Sequence, residues 1–184
     1  MRLFVAIAPE GEAVSALEQV QQRLAARGAD LRWSRPEGRH ITLQFLGAVP
    51  AERSPCILDA LAAVRSPKVL VRIAGLGFFL RAGIFWAGVV PVPELLALQQ
   101  RVAAATRGCG FIAEPRPFRP HITLARGRGR RGAGTLEALQ RTVERERIRV
   151  AAEFIAVEFA LYESFPGPEA SRYEVRARFP LGID

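Results

Sequence analysis

Two stretches decide the fold: RPEGRHITLQFLG at residues 35–47 and RPFRPHITLARG at residues 116–127. In both, Arg-Pro precedes His-Ile-Thr-Leu by the same spacing, and the two copies stand 81 residues apart. The same offset matches Leu17 with Leu98, Gln19 with Gln100, Leu58 with Leu139 and Val69 with Val150. It also sets Phe4 against Phe85 and Ala6 against Ala87. Four identical residues can coincide by chance. An offset shared along the whole chain is the signature of a duplication.

Each repeat reads in the same order. A short apolar run bounded by proline opens it, at residues 3–8 and again at 85–90, and both runs read as strands. A helix follows in each: Val14, Leu17, Val20 and Leu24 recur at helical spacing, as do Leu95, Leu98, Val102 and Ala105. Gly28 and Gly108 stand where these helices would end. The strand bearing His-Ile-Thr-Leu comes next. Second helices are expected near residues 55–64 and 135–145, the latter capped by Thr135. Further strands are expected at 69–74, 76–80, 149–156 and 157–162. The sum is an α+β fold: a bilobal, pseudo-twofold duplication with two antiparallel sheets facing across a cleft and helices outside. No linker composition separates the halves, about 1–81 and 82–184, so residues 1–184 read as one bilobal domain.

Composition narrows the class. The chain has 184 residues, 49% of them hydrophobic and 24% charged, which suits a folded chain and excludes a disordered one. Cys56 and Cys109 allow at most one bridge and are too few for a cysteine-rich metal site. Cys56 falls on a helix and is expected to face the core. The most apolar stretch, 76–92, is broken by Arg81 and glycines, so no membrane span is expected, and the reading is of a cytoplasmic monomer. The net charge is +8, which favours a polyanionic partner, although Lys68 is the only lysine and an arginine skew can reflect genome composition. The segment GRGRRGAG, 127–134, reads as a flexible basic loop able to meet phosphates through Arg128, Arg130 and Arg131.

His40 and His121 are the only two histidines, and they occupy the same place in the two repeats. Residues i and i+2 of a strand share a face, so His40 lies beside Thr42 and His121 beside Thr123, with Ile41, Leu43, Ile122 and Leu124 turned to the core. Two imidazoles flanking one phosphodiester suit paired general base and general acid chemistry near neutral pH. The threonine hydroxyls suit donation to non-bridging phosphate oxygens. The sequence offers no His-x-His or His-Glu-x-x-His spacing and only three aspartates. No metal ligands and no cofactor are therefore assigned.

The chain resembles the two-histidine phosphoesterase superfamily, in its LigT/ThpR branch. HITLQFLG (40–47) and PHITLAR (120–126) carry the likeness, with RLFVAI (2–7), LRWS (31–34), FWAGV (85–89), LYES (161–164) and Tyr173. The resemblance implies a bilobal fold and an enzyme that opens RNA 2′,3′-cyclic phosphates to 2′-phosphomonoesters, with slow reversal to 2′-5′ linkages in some members. It implies His40 as general acid toward the 3′ oxygen and His121 as general base for water. Near-symmetry leaves the two roles unassigned by the residues themselves. Thr42 and Thr123 would hold the phosphate, and Phe45 and Arg126 would sandwich the terminal base. Strict alternation opposes this last role, because it puts Phe45 on the core face and Arg126 away from His121. Both strands must therefore end or bulge near Gln44 and Ala125. Arg39 and Arg119 flank the histidines and read as surface charges or phosphate aids, and Trp33 reads as packed. The remaining alternatives are another cyclic or 2′-5′-linked nucleotide as substrate, or an RNA-end-binding module without catalysis.

Overall fold

The computed structural model describes residues 1–112, 114–167 and 171–182. Its elements run β1 (Arg2–Ile7), α1 (Glu12–Leu24), β2 (Leu31–Trp33), β3 (Ile41–Ala48), α2 (Ser54–Ala62), β4 (Val69–Phe79) and β5 (Ile84–Val89). They continue α3 (Pro93–Arg107), β6 (His121–Gly127), α4 (Gly129–Arg145), β7 (Ala151–Ala156), β8 (Glu158–Phe165) and β9 (Arg172–Pro180). The strands are antiparallel in the order β7-β4-β5-β6-β3-β1-β8-β9, with β2 added on β6. The two expected sheets are thus wings of one sheet. They touch at a single registered pair, Ile41 with Ile122. Beyond it β6 pairs with β2 instead, Arg32 opposite Arg126, and β3 parts from it. A cleft opens where the wings separate.

Neither wing corresponds to one repeat. β1 and β3 of the first repeat pair with β8 and β9 of the second, while β4 of the first pairs with β5 and β7. The helices cross over as well. α1 packs on β7 in one wing, and α3 packs on β3 in the other. Helical periodicity explains the faces: Ala13, Leu17, Val20 and Leu24 of α1 are buried, as are Leu95, Leu98 and Val102 of α3. The large core lies between the helices and one face of the sheet. On the opposite face, alternation along β1 and β8 gives a second, small cluster of Phe4, Ala6, Ala160 and Tyr162, joined by Tyr173.

Several expectations change. The repeat offset fails by one residue in β1 and β5. Ala6 pairs with Thr42 while Trp86, not Ala87, pairs with Thr123. Val5, not Phe4, is therefore the counterpart of the core residue Phe85. The basic segment 127–134 is mostly helix, because α4 already begins at Gly129, and Thr135 lies inside it rather than capping it. Its glycines serve close packing: a Cβ on Gly132 would lie 2.7 Å from the Gly127 backbone. Gly28 ends a short 3₁₀ turn against the Trp33 ring and accepts its indole N–H at 3.0 Å, so Trp33 is packed as read. Cys56 is exposed rather than core-facing and is bridged to Cys109, tying α2 to the end of α3. Among the described residues no helix is long and apolar enough to cross a membrane.

Candidate active site

β3 and β6 meet at Ile41 and Ile122, both fully buried. In an antiparallel pair this register sets His40 across from Thr123 and Thr42 across from His121, all on the face opposite the isoleucines. His40 and Thr123 line the cleft together, with Ser34, Gly38, Arg126 and Tyr173.

The required bulges are present, and they sit at equivalent places. Val5 pairs with Gln44 and Ala6 with Thr42, so Leu43 is the extra residue in β3. Phe85 pairs with Ala125 and Trp86 with Thr123, so Leu124 is the extra residue in β6. Each bulge puts two consecutive residues on the core side, Leu43 with Gln44 and Leu124 with Ala125. The next residue then returns to the cleft face. Arg126 lines the cleft, and Phe45 is 70% exposed on its wall.

The two bulges are held differently. The Leu124 carbonyl accepts the backbone N–H of Ser34 at 2.8 Å. β3 has no such strand beside it, and α3 supplies side chains instead. Gln99 donates to the Leu43 carbonyl at 3.4 Å, and the Thr106 hydroxyl donates to Gln44 Oε1 at 2.7 Å.

Both imidazoles are fixed by the same device. His40 Nδ1 lies 2.8 Å from the Gly38 carbonyl, and His121 Nδ1 lies 2.8 Å from the Arg119 carbonyl. A carbonyl oxygen only accepts, so each Nδ1 carries the proton and each neutral ring keeps its Nε2 lone pair for chemistry. Their surroundings differ. His40 stands among Phe4, Tyr173 and Tyr162 at centroid distances of 4.6, 5.1 and 6.3 Å. His121 has Phe79 edge-on at 5.2 Å and Trp86 at 6.2 Å. Burial in the aromatic wall pulls the His40 pKa down to about 4, and the positive charges of Arg126 and His121 add to this against the Gly38 hydrogen bond.

Phe4, Phe79, Trp86, Tyr162 and Ser34 have no role that the sequence alone assigns. Their signal is weak, because a wall aromatic and a core aromatic look alike in a strand. Arg39 is not a surface charge. It is 3% exposed and donates to Gln21 of α1, on the side away from His40. Arg119 is exposed, and its contribution is the carbonyl that orients His121. Among the described residues no three His, Cys, Asp or Glu side chains stand together as metal ligands.

The profile of the family described as the 2′-5′ RNA ligase superfamily matches residues 9–165. This chain belongs to that superfamily. A Geobacillus stearothermophilus protein named RNA 2′,3′-cyclic phosphodiesterase is 33% identical over 183 residues, covering 97% of this chain and 56% of that protein. A Thermotoga maritima protein of the same name is 30% identical over 180 residues, covering 95% of this chain and 92% of that protein. This chain therefore spans little more than half of the first relative and nearly all of the second. Solved structures agree. A Thermus thermophilus structure matches with a TM-score of 0.79 at 26% identity, covering 100% of both chains. Escherichia coli LigT complexed with 3′-AMP matches with a TM-score of 0.75 at 26% identity, covering 98% of this chain and 97% of that one. The superfamily membership expected from the paired His-x-Thr motifs and the antiparallel α+β architecture are both established.

Proposed function

We propose that this superfamily member is an RNA 2′,3′-cyclic phosphodiesterase that works without a metal, acting as one bilobal domain through His40 and His121. The observation that carries the reading is the matched pair of imidazoles, each with Nδ1–H held by a carbonyl two residues upstream, which the Ile41–Ile122 register brings together with both threonines on one face of the sheet. A binding module needs no such pair of oriented titratable groups. The names of the relatives support the same chemistry.

In the proposed reaction the base imidazole takes a proton from water as its oxygen bonds to phosphorus. The bond from phosphorus to O3′ breaks, and the acid imidazolium protonates O3′. The product is a 2′-phosphomonoester. Thr42 and Thr123 donate to the non-bridging oxygens, where charge gathers. Following the family, His121 is the base and His40 the acid. An acid must hold a proton, and burial works against one on His40 by lowering its pKa. The phosphodiester anion supplies the opposite charge that favours the imidazolium and raises that pKa again. Phe45 and Arg126 take the two faces of the terminal base, which their return to the cleft face supports.

The test is product analysis of a short RNA ending in a 2′,3′-cyclic phosphate, with EDTA present and with His40→Ala and His121→Ala alongside. The expected result is a 2′-phosphate from the wild type and a loss of about 10²–10⁴-fold in each variant. A 3′-phosphate product would overturn the direction of ring opening. Full turnover by either variant would overturn the two-histidine mechanism. No turnover by the wild type would point to another cyclic or 2′-5′-linked nucleotide.

A further inference from the structure

Arg32 sits in the middle of β2, directly opposite Arg126 of β6. Its neighbours Leu31 and Trp33 pack on the core side, so alternation turns Arg32 to the cleft face with Arg126. Like charges facing each other across a ladder repel. A third guanidinium adds to the strain. Burial lowers the Arg32 pKa, and the charges of Arg128 and Arg126 lower it further, while Tyr173 of the cleft wall acts in the other direction. Among the described residues no carboxylate pairs with Arg32, Arg126 or Arg128. Arginines elsewhere do find partners: Arg27 has Glu146, Arg72 has Glu153, and Arg176 has Glu163. The fold therefore gathers three unneutralised cations beside the proposed phosphate site, an arrangement that an anion would relieve.

We infer that Arg32, with Arg128 at the start of α4, forms a second anion subsite that takes the phosphate on the 5′ oxygen of the terminal nucleotide. The inference rests on the proposed RNA-end chemistry. With the cyclic phosphate between the histidines and the base between Phe45 and Arg126, that 5′ phosphate is the one remaining anionic group of the terminal nucleotide. Such a subsite makes the enzyme prefer the end of an RNA chain to a free mononucleoside cyclic phosphate. Arg32 carries no such signal in the sequence, where the arginines that suggest phosphate contacts are those of the basic segment and Arg39 and Arg119 beside the histidines.

The experiment compares three substrates: adenosine 2′,3′-cyclic phosphate, the same compound carrying a 5′-phosphate, and the dinucleotide ApA ending in a 2′,3′-cyclic phosphate. Each is assayed with wild type, Arg32→Gln and Arg32→Lys. In the wild type both 5′-phosphorylated substrates are expected to exceed the mononucleoside in kcat/KM by about 10–100-fold, the worth of a charge-assisted contact. Arg32→Gln should erase that advantage while changing the mononucleoside rate by less than about threefold, and Arg32→Lys should restore part of it. The salt dependence of dinucleotide binding should also flatten by about one counterion in Arg32→Gln. An advantage that is absent in the wild type, or that survives Arg32→Gln, overturns the subsite. An advantage for the dinucleotide alone would assign the preference to the second base and overturn it too. If no substrate is turned over by the wild type, the RNA-end reading itself fails, a result distinct from loss of the subsite.

Discussion

Ile41 and Ile122 face each other across the seam between the two wings, and they are the only registered pair joining β3 to β6. One buried contact thus fixes the relative placement of both His-x-Thr motifs. It joins the wings at the depth of the histidines, and beyond it the strands diverge to form the cleft.

The threonines stand on the same seam, and their substitution tests phosphate stabilisation apart from proton transfer. Thr42→Val and Thr123→Val should each lower kcat by roughly 10²–10³-fold, as loss of one oxyanion donor does, with little change in KM. Steady-state kinetics on a cyclic-phosphate dinucleotide checks this. A change confined to KM would assign the threonines to ground-state binding.

Phe45 depends on a bulge held from α3. Phe45→Ala should raise KM by about 5–150-fold, the worth of one base–aromatic stack, and leave kcat nearly intact. Thr106→Val leaves the buried Gln44 amide without its partner. It should cost about 1–3 kcal/mol of stability and raise KM in the same direction. Chemical denaturation and kinetics on the same samples separate the two effects. A stability loss with no change in KM would detach the Thr106 contact from the site.

His40 links stability to pH. Its folded pKa of about 4 lies below the ordinary histidine value. Between about 4 and about 6.5 the unfolded chain therefore binds a proton that the folded one excludes. The stabilisation is complete above this window and is lost as pH falls through it. The melting temperature should drop by a few degrees from pH 7 to pH 4.5, and the drop should be smaller in His40→Gln. Inorganic phosphate should raise the His40 pKa followed by NMR, because the anion favours the imidazolium. An unmoved titration would argue against a phosphate beside His40.

Two glycines of α4 should respond with opposite sign. Gly132→Ala places a Cβ 2.7 Å from the Gly127 backbone, and neither strand nor helix can yield there. It should destabilise by about 1–3 kcal/mol despite the better helix propensity of alanine. A Cβ on Gly134 meets nothing within 4 Å. Gly134→Ala should therefore stabilise by about 0.5–1 kcal/mol. Thermal unfolding of the two variants decides whether the glycines of this segment serve packing or mobility.

Legible from the residues alone are the repeat, the antiparallel α+β class, the four helices and the shared strand face of His40 with Thr42 and of His121 with Thr123. These are legible because they depend on local periodicity, of two in strands and of 3.6 in helices, and on a repeat that needs no third dimension to be seen. Alternation also exposed the conflict at Phe45 and Arg126, and so the need for bulges. The remaining features depend on contacts between segments distant in the chain. It placed the bulges at Leu43 and Leu124, since an extra residue in a ladder exists only relative to the partner strand. It interleaved the repeats, so that each wing draws strands from both. The basic segment became helix because Gly127 and Gly132 permit a backbone approach that glycine content alone reads as flexibility. The aromatic wall around His40, and the meeting of Arg32 with Arg126, arise from pairings distant in sequence. Burial and charge act through space, and the chemistry of the cleft was decided there.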